Sequence, residues 1–160
     1  MSRELKHSYS IFIQATPQQV WEALTTSRFT TQYYFNSAVE SDWRAGSDYV
    51  MTSPDRTTVK FEGKVLQSDP PRHLVQTVNV KWDPALVGHK EMTIGWDIEQ
   101  FGETCRVTIS HRGFDTDAKL FEMLTGHCPD LMSGMKTLLE TGKPIHIGKP
   151  VAAGVSSANS

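Results

Sequence analysis

The sequence predicts an α+β domain in which a seven-stranded, mostly antiparallel sheet is covered by one long C-terminal helix. Two short helices are expected between the first strand and the second. Residues 38–114 are rich in Val, Ile, Thr and aromatic side chains and are cut by short turn-forming segments. Short links between successive strands favour antiparallel pairing. A single apolar helical stripe follows, and a sheet with one apolar face needs such a helix to cover it.

The first elements are a strand and two short helices. Residues 7–15 alternate, and the apolar side chains of one face are Tyr9, Ile11 and Ile13. Thr16 suits a helix N-cap, Pro17 suits the first helical position, and Gln19 completes a capping box with Thr16. A second short helix is predicted over 27–34, where Phe29 and Tyr33 are four residues apart.

Six further strands are predicted from the apolar runs between turn signals. They are Ala38–Trp43, Asp48–Thr52, Thr57–Gln67, Leu74–Lys81, Glu91–Gln100 and Thr104–Arg112. The segment Asp69–Pro71 must be a turn, because a proline cannot donate to a strand ladder. The sequence "FGET" at residues 101–104 predicts a hairpin between the last two strands.

The last predicted element is a helix over Asp130–Thr141. Its apolar stripe steps by four and three residues through Leu124, Cys128, Leu131, Met135 and Leu138. Pro129 stands where the helix should begin, and Gly142 suits its C-terminal cap. We therefore expect one domain over residues 1–144, followed by a flexible tail over 145–160.

Composition limits the classes of function. The chain has 160 residues, of which 38% are hydrophobic and 21% charged, and a formal net charge of -2. Because there is no basic excess and no long apolar segment, neither nucleic acid nor a membrane is an expected partner. Residues 1–7 lack the apolar stretch of a signal peptide, so we expect a cytoplasmic protein with Cys105 and Cys128 reduced. A homodimer stays open.

Five segments, in this order and spacing, carry a family resemblance. They are "ATPQQVWEALT", "YYFNSAVESDWRAGS", "FEGKVLQSDPPRHLV", "CRVTISHRGF" and "LLETGKP". Together they resemble the bacterial homologues of the activator of heat-shock-protein-90 ATPase, in the START-like, polyketide-cyclase-like (SRPBCC) superfamily. The likeness covers residues 8–144. It implies the helix-grip fold, in which a curved seven-stranded antiparallel sheet wraps around a long C-terminal helix and leaves a cavity between them.

One departure from the family bears on that cavity. Members often have Gly-Trp-Pro where this chain has His127, Cys128 and Pro129. Since Cys128 lies on the apolar stripe, we interpret it as a small buried wall residue, with a reactive thiol as the less favoured alternative. His127 should point away from Cys128, because helical neighbours diverge by about 100°.

The cavity is expected to draw its walls from both the sheet and the last helix. The candidate ligand-binding residues are Trp43, Phe61, Trp96, His111, Cys128, Leu131 and Met135. His111 either orients a ligand or acts as a general base, or else it is simply packed. Trp96 either stacks on a ligand or belongs to the core. Residues 33–35 either gate the cavity or seal the end of the sheet.

Three classes of function remain open from the sequence. The first is a domain that binds a hydrophobic or aromatic small molecule. The second is a cyclase- or hydratase-type enzyme using the same cavity, with His111, the tyrosines, Asp97 or Glu99 moving protons. The third is a co-chaperone-like or stress-related interaction module. Because the resemblance is to the activator's C-terminal domain alone, ATPase activation is not expected.

No local motif indicates a metal or another cofactor. The chain has no CxxC, no HExxH and no His pair at i,i+4. It also lacks a Gly-rich phosphate loop and a GxSxG nucleophile turn. The sequence therefore predicts no cofactor and no metal dependence.

Overall fold

The computed structural model describes residues 4–81, 92–114, 118–148 and 151. Its strands are β1 Glu4–Ile13, β2 Ala38–Ser41, β3 Asp48–Thr52, β4 Val59–Asp69, β5 His73–Val80, β6 Met92–Phe101 and β7 Thr104–Phe114. Its helices are α1 Pro17–Thr25, α2 Ser27–Tyr33, α3 Ala118–Gly126 and α4 Cys128–Thr141. The predicted start of a strand at residue 91 and most of the predicted flexible tail lie outside the described residues.

The seven strands form one sheet in the order β1-β7-β6-β5-β4-β3-β2, and all described pairings are antiparallel. The register shifts in β3–β4 and in β4–β5, and such bulges bend a sheet. With α4 against the sheet, this architecture confirms the predicted helix-grip fold. Strands β1 and β2 are its two edges.

Local signals set the helix boundaries. The Thr16 hydroxyl accepts from the Gln19 backbone N–H at 3.1 Å, and the Gln19 side chain accepts from the Thr16 N–H at 2.8 Å, which confirms the capping box. Gly142 ends α4 in the left-handed conformation, with φ 79°. None of the helices among the described residues is both long and apolar enough to cross a bilayer.

The apolar stripe read from residue 124 to 138 is not one helix. It is divided at His127 between α3 and α4, which the sequence did not predict as separate elements. Pro129 accounts for the break, because it has no N–H to donate into the preceding helical turn. The core lies between the sheet and α4, and α4 buries Cys128, Leu131, Met132, Gly134, Met135 and Leu138.

Candidate functional site: a groove outside a nearly closed cavity

The space enclosed between the sheet and α4 is small. Its volume is about 20 Å³, and it is lined by apolar side chains together with Tyr34, Tyr49 and His111. A cavity of this size has room for about one water molecule. Within the part of the chain that the structure describes, this enclosed space is therefore too small for an organic molecule.

A much larger space lies outside, between α2, the start of β4, α3, α4 and the segment after α4. This outer groove has a volume of about 790 Å³, within the range of small-molecule sites. Its lining includes Tyr33, Phe35, Lys60, Phe61, Met123, Leu124, Asp130, Leu131, Ile145 and Ile147. Residues 145 and 147, assigned to the tail by sequence, thus form part of the groove wall.

Four apolar side chains border both spaces. These gate residues are Phe35, Phe61, Leu124 and Leu131, and each lines the outer groove and the inner cavity. The groove and the cavity therefore share these four side chains as a common wall. The walls expected for a single cavity are therefore shared between an open groove and a closed interior.

Phe35 is held in a strained turn at the centre of the gate. Its φ is 51° and that of Asn36 is 50°, a region that bulky residues rarely adopt. The Lys60 ammonium donates to the Phe35 carbonyl at 2.9 Å and to the Asn36 carbonyl at 3.2 Å. The Phe35 ring contacts the rings of Phe61, at 5.7 Å between centroids, and His127, at 5.5 Å. Lys60 thus fixes the turn that places Phe35 in the gate.

A glycine lets two groove walls approach each other. A Cβ added at Gly134 of α4 would lie 3.1 Å from the Cβ of Tyr33 on α2. Tyr33 is fixed from its other end, because its hydroxyl donates to the Ala23 carbonyl at 2.7 Å. The close crossing of α2 and α4 therefore sets the width of the groove.

The seven residues predicted to line the cavity fall into three groups. Phe61 and Leu131 are gate residues, and His111 lines the inner cavity. Trp96 and Met135 are core residues, 1% and 0% exposed, and line neither space. Cys128 and Trp43 also line neither space.

Cys128 and Trp43 have distinct surroundings. Cys128 is buried, as its place on the stripe predicts, and its Sγ lies 3.9 Å from Nδ1 of His111. Trp43 stacks on Tyr49 and donates its indole N–H to the Thr25 carbonyl at 3.0 Å. Trp43 therefore anchors the end of α1.

Polar groups meet at the inner end of the gate. His7 on β1 is directly opposite His111 on β7, and their ring centroids are 5.7 Å apart. Burial, and then the neighbouring His7, lower the pKa of His111 to about 4, so its ring is neutral at neutral pH. Burial raises the pKa of the Cys128 thiol to about 11, so the thiol keeps its proton. Burial and Cys128 also raise the pKa of Tyr34.

His7 is the residue of this cluster that sequence reasoning missed. Its Nδ1 is buried without a hydrogen-bond partner. The signal was present, because His7 has the same alternation as Tyr9, Ile11 and Ile13 and must therefore face inward with them. One donor atom from each of His7, His111 and Cys128 lies within 4.8 Å of the others, so these three side chains could hold a metal ion.

The carboxylates considered for proton transfer lie elsewhere. Asp97 contacts Nδ1 of His73 at 2.7 Å, and Glu99 forms an ion pair with Arg106. Both carboxylates are more than half exposed. Among the described residues, neither of them lines the inner cavity or the outer groove.

The family described as Activator of Hsp90 ATPase homolog 1-like protein matches residues 14–140. No curated protein sequence matches the chain. CalU16 from Micromonospora echinospora has a similar structure, with a TM-score of 0.64 and 15% identity over 90% of this chain and 76% of CalU16. The Aha1 dimer from Colwellia psychrerythraea gives a TM-score of 0.65 and 20% identity over 87% of this chain and 98% of that one. DynU16, from the dynemicin biosynthetic locus, gives a TM-score of 0.63 and 20% identity over 87% of this chain and 48% of DynU16.

Proposed function

The chain belongs to the family of activator-of-Hsp90-ATPase homologue 1-like proteins. From this premise, we propose that it binds a hydrophobic or aromatic small molecule in the outer groove. The observation that carries the proposal is the apolar groove of about 790 Å³ whose floor is also the wall of the inner cavity. Apolar clefts of this size with a few polar groups are typical ligand sites.

The polar groups of the groove indicate what kind of ligand fits. The Lys60 ammonium is held by two backbone carbonyls, and Asp130 lies 4.0 Å from Nδ1 of His127 on the opposite wall. A carboxylate, phenolate or sulfonate at one end of the ligand could approach Lys60. The apolar body would then lie against Met123 and the gate residues.

We propose binding rather than catalysis as the main activity. A carboxylate paired with a histidine inside the cavity would favour an enzyme, and among the described residues His111 has no such partner. Asp97 and Glu99 are engaged at the surface instead. The presence of DynU16 in a biosynthetic locus supports testing turnover once a ligand is known.

The binding proposal is tested with the dye 1-anilinonaphthalene-8-sulfonate, which has apolar aromatic rings and one sulfonate group. Met123→Trp places a large ring in the groove, and we expect dye affinity to fall by at least about tenfold. Leu66→Trp is the matched control, because Leu66 is 46% exposed and lines a different surface depression. Equal dye affinity in both variants and the parent would refute binding in the groove.

The natural ligand is identified separately. Native mass spectrometry of protein purified from its own host should show a retained small molecule that is released on denaturation. The same preparation of Met123→Trp should retain less of it. We propose the cytoplasm as the compartment, which the two buried free thiols support.

We also propose that the protein forms a homodimer. Phe12 and Phe101 are 51% and 44% exposed on the outer face and contact each other edge to face at 5.6 Å. Phe12 is on edge strand β1 and Phe101 ends β6, and the Aha1 structure from Colwellia psychrerythraea is of a dimer. Light scattering after gel filtration should give twice the chain mass, and Phe12→Ser should shift it towards the monomer. A monomer at all concentrations would refute this assembly.

A further inference from the structure

The cluster of His7, His111 and Cys128 has the composition of a metal site, and nothing in the proposed ligand-binding function uses it. The three side chains come from β1, β7 and the first turn of α4, so no local sequence spacing reveals them. Two imidazoles and a thiolate are the donors that Zn²⁺ and Cu⁺ prefer among biological ions.

Two geometric observations go beyond composition. The donor atoms lie within 4.8 Å of one another, and Sγ of Cys128 is 3.9 Å from Nδ1 of His111. Donors around a tetrahedral ion are about 3.3–3.6 Å apart, given bonds of about 2.3 Å to sulfur and about 2.0–2.1 Å to nitrogen. Closing the cluster therefore requires a movement of about 1 Å. The His7 side chain can make this movement, because His7 is only half-buried and lies on an edge strand.

The orphaned nitrogen of His7 is the independent sign of a missing partner. Buried polar atoms almost always have a hydrogen-bond partner. Nδ1 of His7 is the one buried side-chain nitrogen or oxygen among the described residues for which none is found. A metal ion that His7 binds through Nδ1 would give this nitrogen its missing partner.

We propose that His7, His111 and Cys128 bind a single thiophilic metal ion, Zn²⁺ or Cu⁺. On binding, the Cys128 S–H bond breaks, its proton passes to solvent, and a sulfur–metal bond forms without change of oxidation state. With Cu⁺ the site is electrically neutral, which suits its burial. With Zn²⁺ a fourth ligand is needed, and a water molecule is the usual one where the protein supplies three.

The choice of ion and the three ligands can be tested on the full chain. Metal-free protein is titrated with Co²⁺, which gives a thiolate-to-metal absorption band when a cysteine coordinates it, and then with Zn²⁺ in competition. A second arm adds Cu⁺ anaerobically against a competing chelator. Metal content after gel filtration should be one ion per chain in at least one arm, and where both ions bind, the one held more tightly is assigned to the site.

Two variants and two controls assign the ligands. Cys128→Ser should lose the thiolate-to-metal absorption band. His7→Gln should lower the affinity for the metal by at least about tenfold, since even outer-shell partners of metal sites contribute that much. Cys105→Ser removes the other described thiol, and His73→Gln removes a partly exposed histidine far from the cluster in the sheet. Both variants should bind the metal as the parent does. Thermal melts without metal establish whether each variant folds. If Cys128→Ser does not fold, His7→Gln alone tests the site.

Three results would overturn the assignment. They are failure of both ions to bind stoichiometrically, binding that survives Cys128→Ser and His7→Gln, and binding that Cys105→Ser or His73→Gln weakens equally. The dye experiment on the groove is independent, so the metal site and the proposed function can fail separately.

Discussion

The two ends of helix α4 are packed against the sheet in different ways. At the near end, the first turn borders the gate and the inner cavity, and Cys128 faces the His111 ring. At the far end, Met135 and Leu138 are both buried, and Met135 belongs to the main hydrophobic core. The same helix is therefore packed into the core at one end and forms the wall of the candidate ligand site at the other.

Polar contacts lock the far end to strand β1. The Lys136 ammonium donates to the Phe12 carbonyl at 2.8 Å, and the Glu140 carboxylate accepts from the Gln14 backbone N–H at 2.8 Å. Lys136 and Glu140 also pair with each other at 2.8 Å. The near end instead has the orphaned nitrogen of His7 and the gate, so movement of α4 should be concentrated there.

The largest effect is expected from truncating the far end. Met135→Ala should lower the free energy of unfolding by about 2–5 kcal/mol, because Met135 is fully buried and lines neither described space. Denaturant unfolding measures it. A loss below about 1 kcal/mol would show that the far end is as loosely packed as the near end.

Overpacking the near end should cost less. Cys128→Trp restores the side chain that the family often has, but the neighbouring cavity is only about 20 Å³. The indole should force side chains aside and lower stability by about 1–3 kcal/mol. Unchanged stability with weaker dye binding would instead show that the gate opens readily to accept the ring.

Truncating the gate should cost about 1–2 kcal/mol. Leu131 already borders two spaces, so Leu131→Ala loses fewer contacts than Met135→Ala and mainly the transfer free energy of its side chain. Dye binding should be kept, because the change widens the passage between groove and cavity. A stability loss equal to that of Met135→Ala would remove the distinction between the two ends.

Removing the far-end carboxylate should have a small, pH-dependent effect. Accepting from the Gln14 N–H, and then from Lys136, lowers the pKa of Glu140 in the folded protein. Its contribution is therefore present above the carboxyl's unfolded pKa and is lost as pH falls through the folded pKa. Glu140→Gln should cost about 0.2–1 kcal/mol at pH 7, and the difference from the parent should shrink in acid. A difference that grows in acid would contradict this sign.

The smallest effect is expected beyond the groove. Residues 150–160 have no apolar periodicity with which to dock, so a chain that ends after Lys149 should keep its thermal midpoint. It also keeps the groove wall at Ile145 and Ile147, so dye affinity should not change. A drop of several degrees in the midpoint would show that the removed segment packs against the domain.

The sequence predicted the architecture because its signals are local. Alternation marked the strands, the Thr16 box began α1, and Gly142 ended α4. The break at His127 escaped because the residues on both sides continue one apolar period. The apolar stripe predicts which side chains are buried, but it does not predict that they belong to two separate helices.

The candidate site was harder to predict because it is assembled across the chain. His111 and Cys128 were recognisable as inward-facing, but their partner His7 is brought to them by the pairing of β1 with β7. The gate depends on a positive φ at Phe35 and on a lysine 25 residues away, for which no local pattern exists. How much of the predicted cavity is filled depends on packing, which composition does not determine.

The contrast between the two ends of α4 is tested most directly by methyl NMR of the parent protein during titration with 1-anilinonaphthalene-8-sulfonate. Met123 and Leu131 line the groove, whereas Met135 and Leu138 are buried at the far end of α4 and do not line it. We predict that the first pair shifts progressively with dye while the second pair stays in place. Shifts that begin at Met135 and Leu138, or that leave Met123 and Leu131 unmoved, would contradict the account.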